Sequence, residues 1–476
     1  RLMEYQVRNP RNGENDYSFP ILSVEELHAL CQELRSGQAE WKAGGITHRV
    51  EAMQAWKKEI QAREADLIEA LSLDTGRRME SVLEAQLLAS TIDRWIETAR
   101  EVFQEQDGKV SNIPFIEIHQ GLEPYELVGV ISPWNFPLLL SIIDSIPALM
   151  AGTAVIVKPS EVTPRFIEVI QDSIHAVPNL AKVFRYIAGA GETGKQLLSE
   201  IDLVCFTGSV ATGKAVYKAA AENFIPAYLE LGGKDPAVVL ESADIEHASS
   251  ALLWGSIVNC GHSCLSIERI YVQESIYEEF LEKLIQKAKS IKLAYPGWED
   301  GQIGPVISER QVEIIDEHLA DALAQGAKLE SGRGKCFEQG GGLWCEPQIL
   351  TGVKHDMKVI QEESFGPILP VMPFKDKEEA LKLANDTPFG LSAAVFAGSW
   401  EEAMEFGQHI QAGAISVNDA GLTAMVHEGE KNAFKFSGIG STRMGPASIR
   451  RFMRQKAYLV KKQGIPSPWW FDTQHV

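Results

Sequence analysis

Cysteine is scarce in this chain. Cys31, Cys205, Cys260, Cys264, Cys336 and Cys345 are the only six in 476 residues. That is too few for a disulfide scaffold, and Cys260-x-x-x-Cys264 lacks the second ligand pair of a structural zinc site, so reduced thiols and no metal are expected. Clustered basic charge is also missing. The 45 basic side chains are outnumbered by 65 acidic ones, for a net charge of -20, which argues against nucleic acid or an anionic bilayer as the main partner. No apolar run is uninterrupted. Val128 to Val157 comes nearest, but Pro133, Pro137 and Pro147 break it, Asn135 and Asp144 lie inside it, and Gly152 breaks it again. A buried strand, a tight turn, a core helix and a second strand fit that pattern better than a membrane span. With no apolar signal core in Arg1 to Val7, a cytoplasmic location is expected.

The remainder is ordinary globular composition, 45% hydrophobic and 23% charged, over a length that calls for two or three domains. The first hundred residues read as helical. Ser23-Val-Glu-Glu26 forms a capping box ahead of Leu27, Leu30 and Leu34, and Val50, Met53, Trp56 and Ile60 share one stripe. From Glu126 short apolar strands alternate with helices. Strands are expected at Leu127–Ile131, Ala154–Val157, Val183–Ile187, Leu203–Phe206 and Ala227–Leu231, the rhythm of a doubly wound parallel sheet. A second series follows at Ala237–Leu240, Arg269–Val272, Ala393–Phe396 and Ala414–Val417, with a close-packed crossover expected near Gly232–Asp235.

Several segments carry chemistry. Cys264 closes Asn259-Cys-Gly-His-Ser-Cys264, 34 residues after Glu230 in Tyr228-Leu-Glu-Leu-Gly-Gly-Lys234. A thiol that attacks a carbonyl and a carboxylate that activates water are the tools for forming and hydrolysing a thioester. Phe206-Thr-Gly208-Ser209 through Gly213-Lys214 follows a strand and opens a helix, where glycines let a pyrophosphate approach the backbone. Its G-x-x-x-x-G spacing suits glycines placed for packing equally well, and Ala215 excludes a Walker A loop. Lys158 and Glu161 stand at a strand end, suited to ribose hydroxyls, and a carboxylate there would repel a 2′-phosphate, favouring NAD over NADP. Pro133-Trp134-Asn135-Phe136-Pro137 fixes backbone around an amide donor, as an oxyanion hole requires, or simply closes a turn. Glu363 and Phe365 in Glu362-Glu-Ser-Phe-Gly-Pro367 suit a nicotinamide ribose and ring, or form an exposed acidic loop.

Taken in this order, these segments resemble the NAD(P)-dependent aldehyde dehydrogenase superfamily, nearly end to end, from Val7-Arg-Asn-Pro10 to Phe436 through Gly445. The resemblance implies an α/β fold with a Rossmann-like cofactor domain (1–103 and 124–234), an α/β catalytic domain (235–447) and a small β oligomerisation element (104–123 and 448–476). It implies Cys264 as nucleophile, Glu230 as base and Asn135 as oxyanion donor. NAD contacts would come from Trp134, Lys158, Glu161, Gly208, Ser209, Gly213, Leu231, Glu363 and Phe365. A homodimer or homotetramer is implied as well. One departure is His262, where the family usually has Gln. It is either a tolerated polar exchange or a histidine that stabilises the thiolate.

By the same resemblance Leu139, Ile143, Val258, Ser263, Leu265 and Phe436 line the aldehyde tunnel. No Lys or Arg stands among them, so a charged semialdehyde has no anchor, and a long-chain, retinal-like or apocarotenoid aldehyde is expected. The alternatives are a semialdehyde substrate, coenzyme A as the acyl acceptor, or a non-catalytic binding protein. Retention of Glu230 and Cys264 speaks against the last two. The aromatic tail Pro466 to Phe471 is expected to pack at a subunit contact; peripheral contact with lipid is the competing reading.

Overall fold

The computed structural model describes residues 3–472, so the outermost positions of the expected flanking segments, 1–2 and 473–476, lie outside the described residues. The chain opens on an antiparallel hairpin, Glu4–Arg8 with Asn15–Pro20, rather than on a helix. Only Val7 and Phe19 of these strands are buried apolar positions, an alternation too sparse to register as a strand signal. Four helices follow, Val24–Ala43, Gly45–Ala62, Glu64–Thr75 and Met79–Val102. Ser23 Oγ accepts from Glu26 N–H at 3.1 Å and the Glu26 carboxylate accepts from Ser23 N–H, closing the capping box. Trp41, Trp56 and Trp95 drive their stripes into one core with the first sheet. Truncating any of these rings to Ala would cost about 3–5 kcal/mol.

That sheet has six strands in the order Gly438–Ile439, Ala227–Glu230, Leu203–Thr207, Leu127–Ile131, Ala154–Lys158, Phe184–Tyr186. All pairs are parallel except the antiparallel edge at Gly438–Ile439. Strand order reverses between Leu127–Ile131 and Leu203–Thr207. Their carboxyl ends therefore open a crevice, the place where ligands settle in such sheets. Val128 to Val157 resolves into strand, turn, helix Leu139–Ala151 and strand. Among the described residues no helix is long and apolar enough to cross a membrane.

Five residues after Glu230 the chain enters a seven-stranded sheet at Asp235, with Lys234 and Asp235 buried at the crossover. Its order is Lys328–Ser331, Gln348–Thr351, Ile368–Phe374, Ile267–Gln273, Asp235–Val239, Ser392–Phe396, Ala414–Val417. Ile368–Phe374 is central yet holds Pro370 and Pro373, which hid it from a reading by strand propensity. A third sheet pairs Met453–Val460 with Glu117–Pro124, and the latter with Lys109–Val110. The tail folds back on it: Trp469 stacks on Phe115 at 5.9 Å, and the Lys461 ammonium lies 4.5 Å from the Trp470 ring.

Candidate active site

The site forms where the two large sheets meet. Helix Ile245–Ile257 ends in a tight turn in which Asn259, Cys260 and Gly261 all have positive φ, 57°, 57° and 72°. Two consecutive non-glycine residues in the left-handed region are costly, and such strain persists only where surroundings impose it. Here they do. Arg77, from the loop before helix Met79–Val102, donates to Asn259 Oδ1, and Glu80 accepts from the Asn259 N–H at 3.2 Å. A Cβ on Gly261 would lie 2.3 Å from the Gly366 carbonyl, so only glycine fits. The turn delivers Ser263 and Cys264 into the crevice.

Asn135 arrives from the other sheet, on the loop after Leu127–Ile131. Its carbonyl accepts from Arg77 Nη2 at 2.7 Å and Asn259 Nδ2 at 3.0 Å. Its own Nδ2 donates to the His262 carbonyl at 3.1 Å. An amide nitrogen has two hydrogens, which leaves one for the cavity that Asn135 shares with Cys264. The adjacent helix Leu139–Ala151 is capped by buried Glu84, whose carboxylate accepts from Leu138 N–H at 3.1 Å and Leu139 N–H at 3.0 Å while Arg77 pairs with it at 3.2 Å. Burial pushes the Glu84 carboxyl up and the Arg77 charge opposes that.

Two cavities meet at Cys264. The first encloses about 1100 Å³ counted with its open mouth, and Cys264, Glu230 and Asn135 share its walls. Leu139, Ile143, Val258, Ser263 and Leu265 line it as expected, joined by Phe136, Trp254 and Met425. Phe436 does not: the residue is 52% exposed and its ring lies under the Lys214 ammonium at 4.9 Å. Two cations absent from the short list of expected tunnel residues also reach this cavity. Lys431 and Arg443, far along the chain, stand in its wall. Arg443 is tied to buried Asp144 at 2.7 Å and to Thr207.

The second cavity, about 800 Å³ on the same measure, is lined by Trp134, Gly208, Ser209, Leu231, Glu363 and Phe365 together with Cys264 and Asn135. Ser209 caps helix Val210–Glu222, accepting from Thr212 N–H at 3.3 Å, so the helix amino end faces this space. Gly213 does not line it. A Cβ there would lie 2.4 Å from the Leu231 side chain, so this glycine serves helix–sheet packing. Lys158 and Glu161 sit one strand over, 3.8 Å apart, with the buried ammonium also donating to the Gly189 carbonyl at 3.0 Å. A Cβ on Gly232 would meet the Glu363 carboxylate at 2.5 Å, so the glycine permits their close approach. Gly233 N–H donates to that carboxylate at 2.8 Å. The loop of Glu363 is held from beneath by Glu268, which accepts from Ser364 N–H at 2.9 Å, Phe365 N–H at 2.8 Å and the Lys234 ammonium at 2.9 Å. A helix amino end at a topological switch point, glycines at the approach and a Lys–Glu pair one strand away suit a dinucleotide.

Charge at the thiol is opposed. Cys264 is half-buried, and loss of solvent, aided by Glu363, pushes its pKa up to about 12 while Lys431 and Arg443 pull it down. His262 supplies no help. It is fully buried, its Nδ1–H donates to the Phe365 carbonyl at 2.7 Å, and its Nε2 accepts from Ile307 N–H at 3.3 Å. Burial drops its pKa to about 4. With both nitrogens engaged and the ring neutral, His262 fixes the loop and does not stabilise a thiolate. Burial and Glu268 together raise the Glu363 carboxyl to about 8.

Sequence reasoning missed Arg77, Glu84, Glu268, Lys431 and Arg443. Arg77 and Asn259 are 182 residues apart, and no local pattern links them. Lys234 offered the one hint, since a lysine next to two glycines and buried hydrophobics needs a carboxylate partner.

The profile of the aldehyde dehydrogenase family matches residues 2–458. The chain is similar to 4,4'-diapolycopene aldehyde oxidase of Methylomonas sp, 34% identical over 470 residues, covering 97% of this chain and 87% of the relative. Among solved structures it is similar to PutA from Anabaena variabilis, 55% identical with a TM-score of 0.96, covering 99% of this chain and 100% of that one. It is also similar to betaine aldehyde dehydrogenase of Staphylococcus aureus in complex with NAD+, 29% identical with a TM-score of 0.91, covering 99% and 94%.

Proposed function

We propose residue roles, a cofactor preference and a substrate class for this chain, which belongs to the aldehyde dehydrogenase family and carries out NAD(P)-dependent aldehyde oxidation. The observation that carries the roles is the meeting of two unlike cavities at one thiol. Cys264, as thiolate, attacks the aldehyde carbon from between them. The free Asn135 amide hydrogen, with a backbone N–H, stabilises the oxyanion of the tetrahedral adduct. Ser209, the helix amino end, Lys158, Glu161 and Glu363 would hold the dinucleotide, which when bound accepts hydride. Glu230 then takes a proton from water, which attacks the Cys264 thioester and releases the acid. The Glu230 carbonyl accepts from Gly208 N–H at 3.1 Å, which ties the base to the cofactor loop.

The substrate is a hydrophobic long-chain or apocarotenoid-like aldehyde. The apolar walls around Phe136, Leu139, Ile143, Trp254 and Met425 support this, as does the similarity to an enzyme named for a carotenoid aldehyde. Lys431 favours a second reading, a small aldehyde bearing a carboxylate. NAD is preferred, because Glu161 would meet a 2′-phosphate with like charge. The segments 1–103 with 124–234 form the cofactor domain and 235–447 the catalytic domain, while 104–123 with 448–476 joins subunits in a dimer or tetramer.

The test is reduced-cofactor formation over a panel from short and semialdehyde substrates to long-chain and apocarotenoid ones, with NAD and NADP, on wild type and Glu161→Gln. Highest kcat/KM on long apolar aldehydes with NAD is expected, with NADP use improved at least about tenfold in the variant. Best activity on a semialdehyde would reject the substrate class. An unchanged cofactor ratio would reject the Glu161 argument.

A further inference from the structure

Lys431 lies in the wall of the apolar cavity with Cys264 and Glu230 and is half-buried there. Its main-chain N–H donates to Thr442 Oγ1 at 3.0 Å, tying its loop to the segment that carries Arg443. Among the described residues its ammonium makes no ion pair or hydrogen bond. A half-buried lysine in a largely apolar wall, with no ion-pair partner, leaves its charge available to whatever ionises in the cavity.

The other groups around the thiol are already engaged or oppose ionisation. Arg443 spends its guanidinium on Asp144 and Thr207. Glu84 is matched by Arg77, and His427, buried and set against Arg94, is held neutral with a pKa of about 4. Glu363, from the loop before Ile368–Phe374, and Asp235, at the crossover, disfavour a negative sulfur, while Lys431 and Arg443 favour it. Glu80 and Glu230 complete the ionisable groups facing the cavity.

We propose that Lys431 is an electrostatic activator of the nucleophile, its unpaired ammonium stabilising the Cys264 thiolate across the cavity. The thiol proton leaves to solvent, and no bond forms to Lys431. The inference rests on Cys264 being the nucleophile, so the test must separate the two.

The experiment is the pH dependence of iodoacetamide alkylation of the full chain without cofactor, with the modified cysteine located by mass spectrometry. The other cysteines are buried, so native labelling reports on Cys264. In Lys431→Met and Lys431→Gln the apparent pKa of alkylation is expected to rise by roughly one unit, slowing labelling near neutral pH about tenfold. Lys431→Arg should stay near wild type. An unmoved profile in Met and Gln variants overturns the inference, as does equal loss with Arg. A KM increase confined to carboxylated semialdehydes, with alkylation unchanged, also overturns it and assigns Lys431 to substrate binding. Labelling at a cysteine other than Cys264 would overturn the underlying reading of the nucleophile.

Discussion

Replacing Asn135 with alanine separates catalysis from architecture, because different atoms of this residue serve each. The loop is pinned through the Asn135 carbonyl, which accepts from Arg77 at 2.7 Å and Asn259 at 3.0 Å, and alanine keeps both bonds. The side chain gives one hydrogen to the His262 carbonyl, which retains Asn259 Nδ2 at 2.9 Å when that hydrogen is lost. The structural cost is therefore one hydrogen bond, about 0.5–1.5 kcal/mol. In the proposed mechanism the second amide hydrogen donates to the oxyanion, from the cavity wall that Asn135 shares with Cys264. Losing one such donor removes about 3–4 kcal/mol of transition-state stabilisation and lowers kcat by roughly 100- to 1000-fold. Steady-state kinetics at saturating cofactor, beside a thermal denaturation scan, reads both quantities. Activity within about threefold of wild type would refute the oxyanion role. A loss of activity matched by a large loss of stability would refute the separation.

Three further outcomes follow from the same site. Glu230→Gln should release about one equivalent of reduced cofactor per active site in a burst and then stall, since acylation needs no water; steady turnover without a burst rejects the base assignment. His262 has a pKa of about 4 in the fold against 6.5 when unperturbed. Its contribution to stability is complete above 6.5 and is lost as pH falls from 6.5 toward 4, on the order of 3 kcal/mol. His262→Gln should flatten that acid limb in a pH series of thermal scans while keeping activity within about tenfold; an unchanged limb relative to wild type refutes it. Glu268→Ala strands the buried Lys234 ammonium and should cost about 3–5 kcal/mol, weakening cofactor binding measured by fluorescence titration. Unchanged affinity and stability would show that the loop of Glu363 needs no such support.

Much of the fold was legible because its signals are local. Four-to-five-residue apolar runs with glycine, proline and polar punctuation mark the strands, and Ser23 with Glu26 marks a helix start within three residues of itself. The missed strands show the limit. Ile368–Phe374 carries prolines that a central strand tolerates only because of where its neighbours lie, and the opening hairpin buries too few apolar positions to announce itself.

The site divides along the same line. Cys264, Glu230 and Asn135 could be singled out as candidates from their own segments, with roles implied only by the resemblance of those segments taken together, and the fold brings the three to one cavity wall. Sequence by itself thus determined the chemistry available and the two-sheet rhythm that would present it. Tertiary structure alone decided the rest. It put Lys431 in the wall of the apolar cavity beside Cys264 and Phe436 outside it, turned Gly213 to packing, and closed both nitrogens of His262. It also let Arg77 hold a strained turn from 182 residues away. The reason is physical. Burial and charge interactions depend on distance through space, and folding brings together residues whose separation along the chain carries no record of that distance.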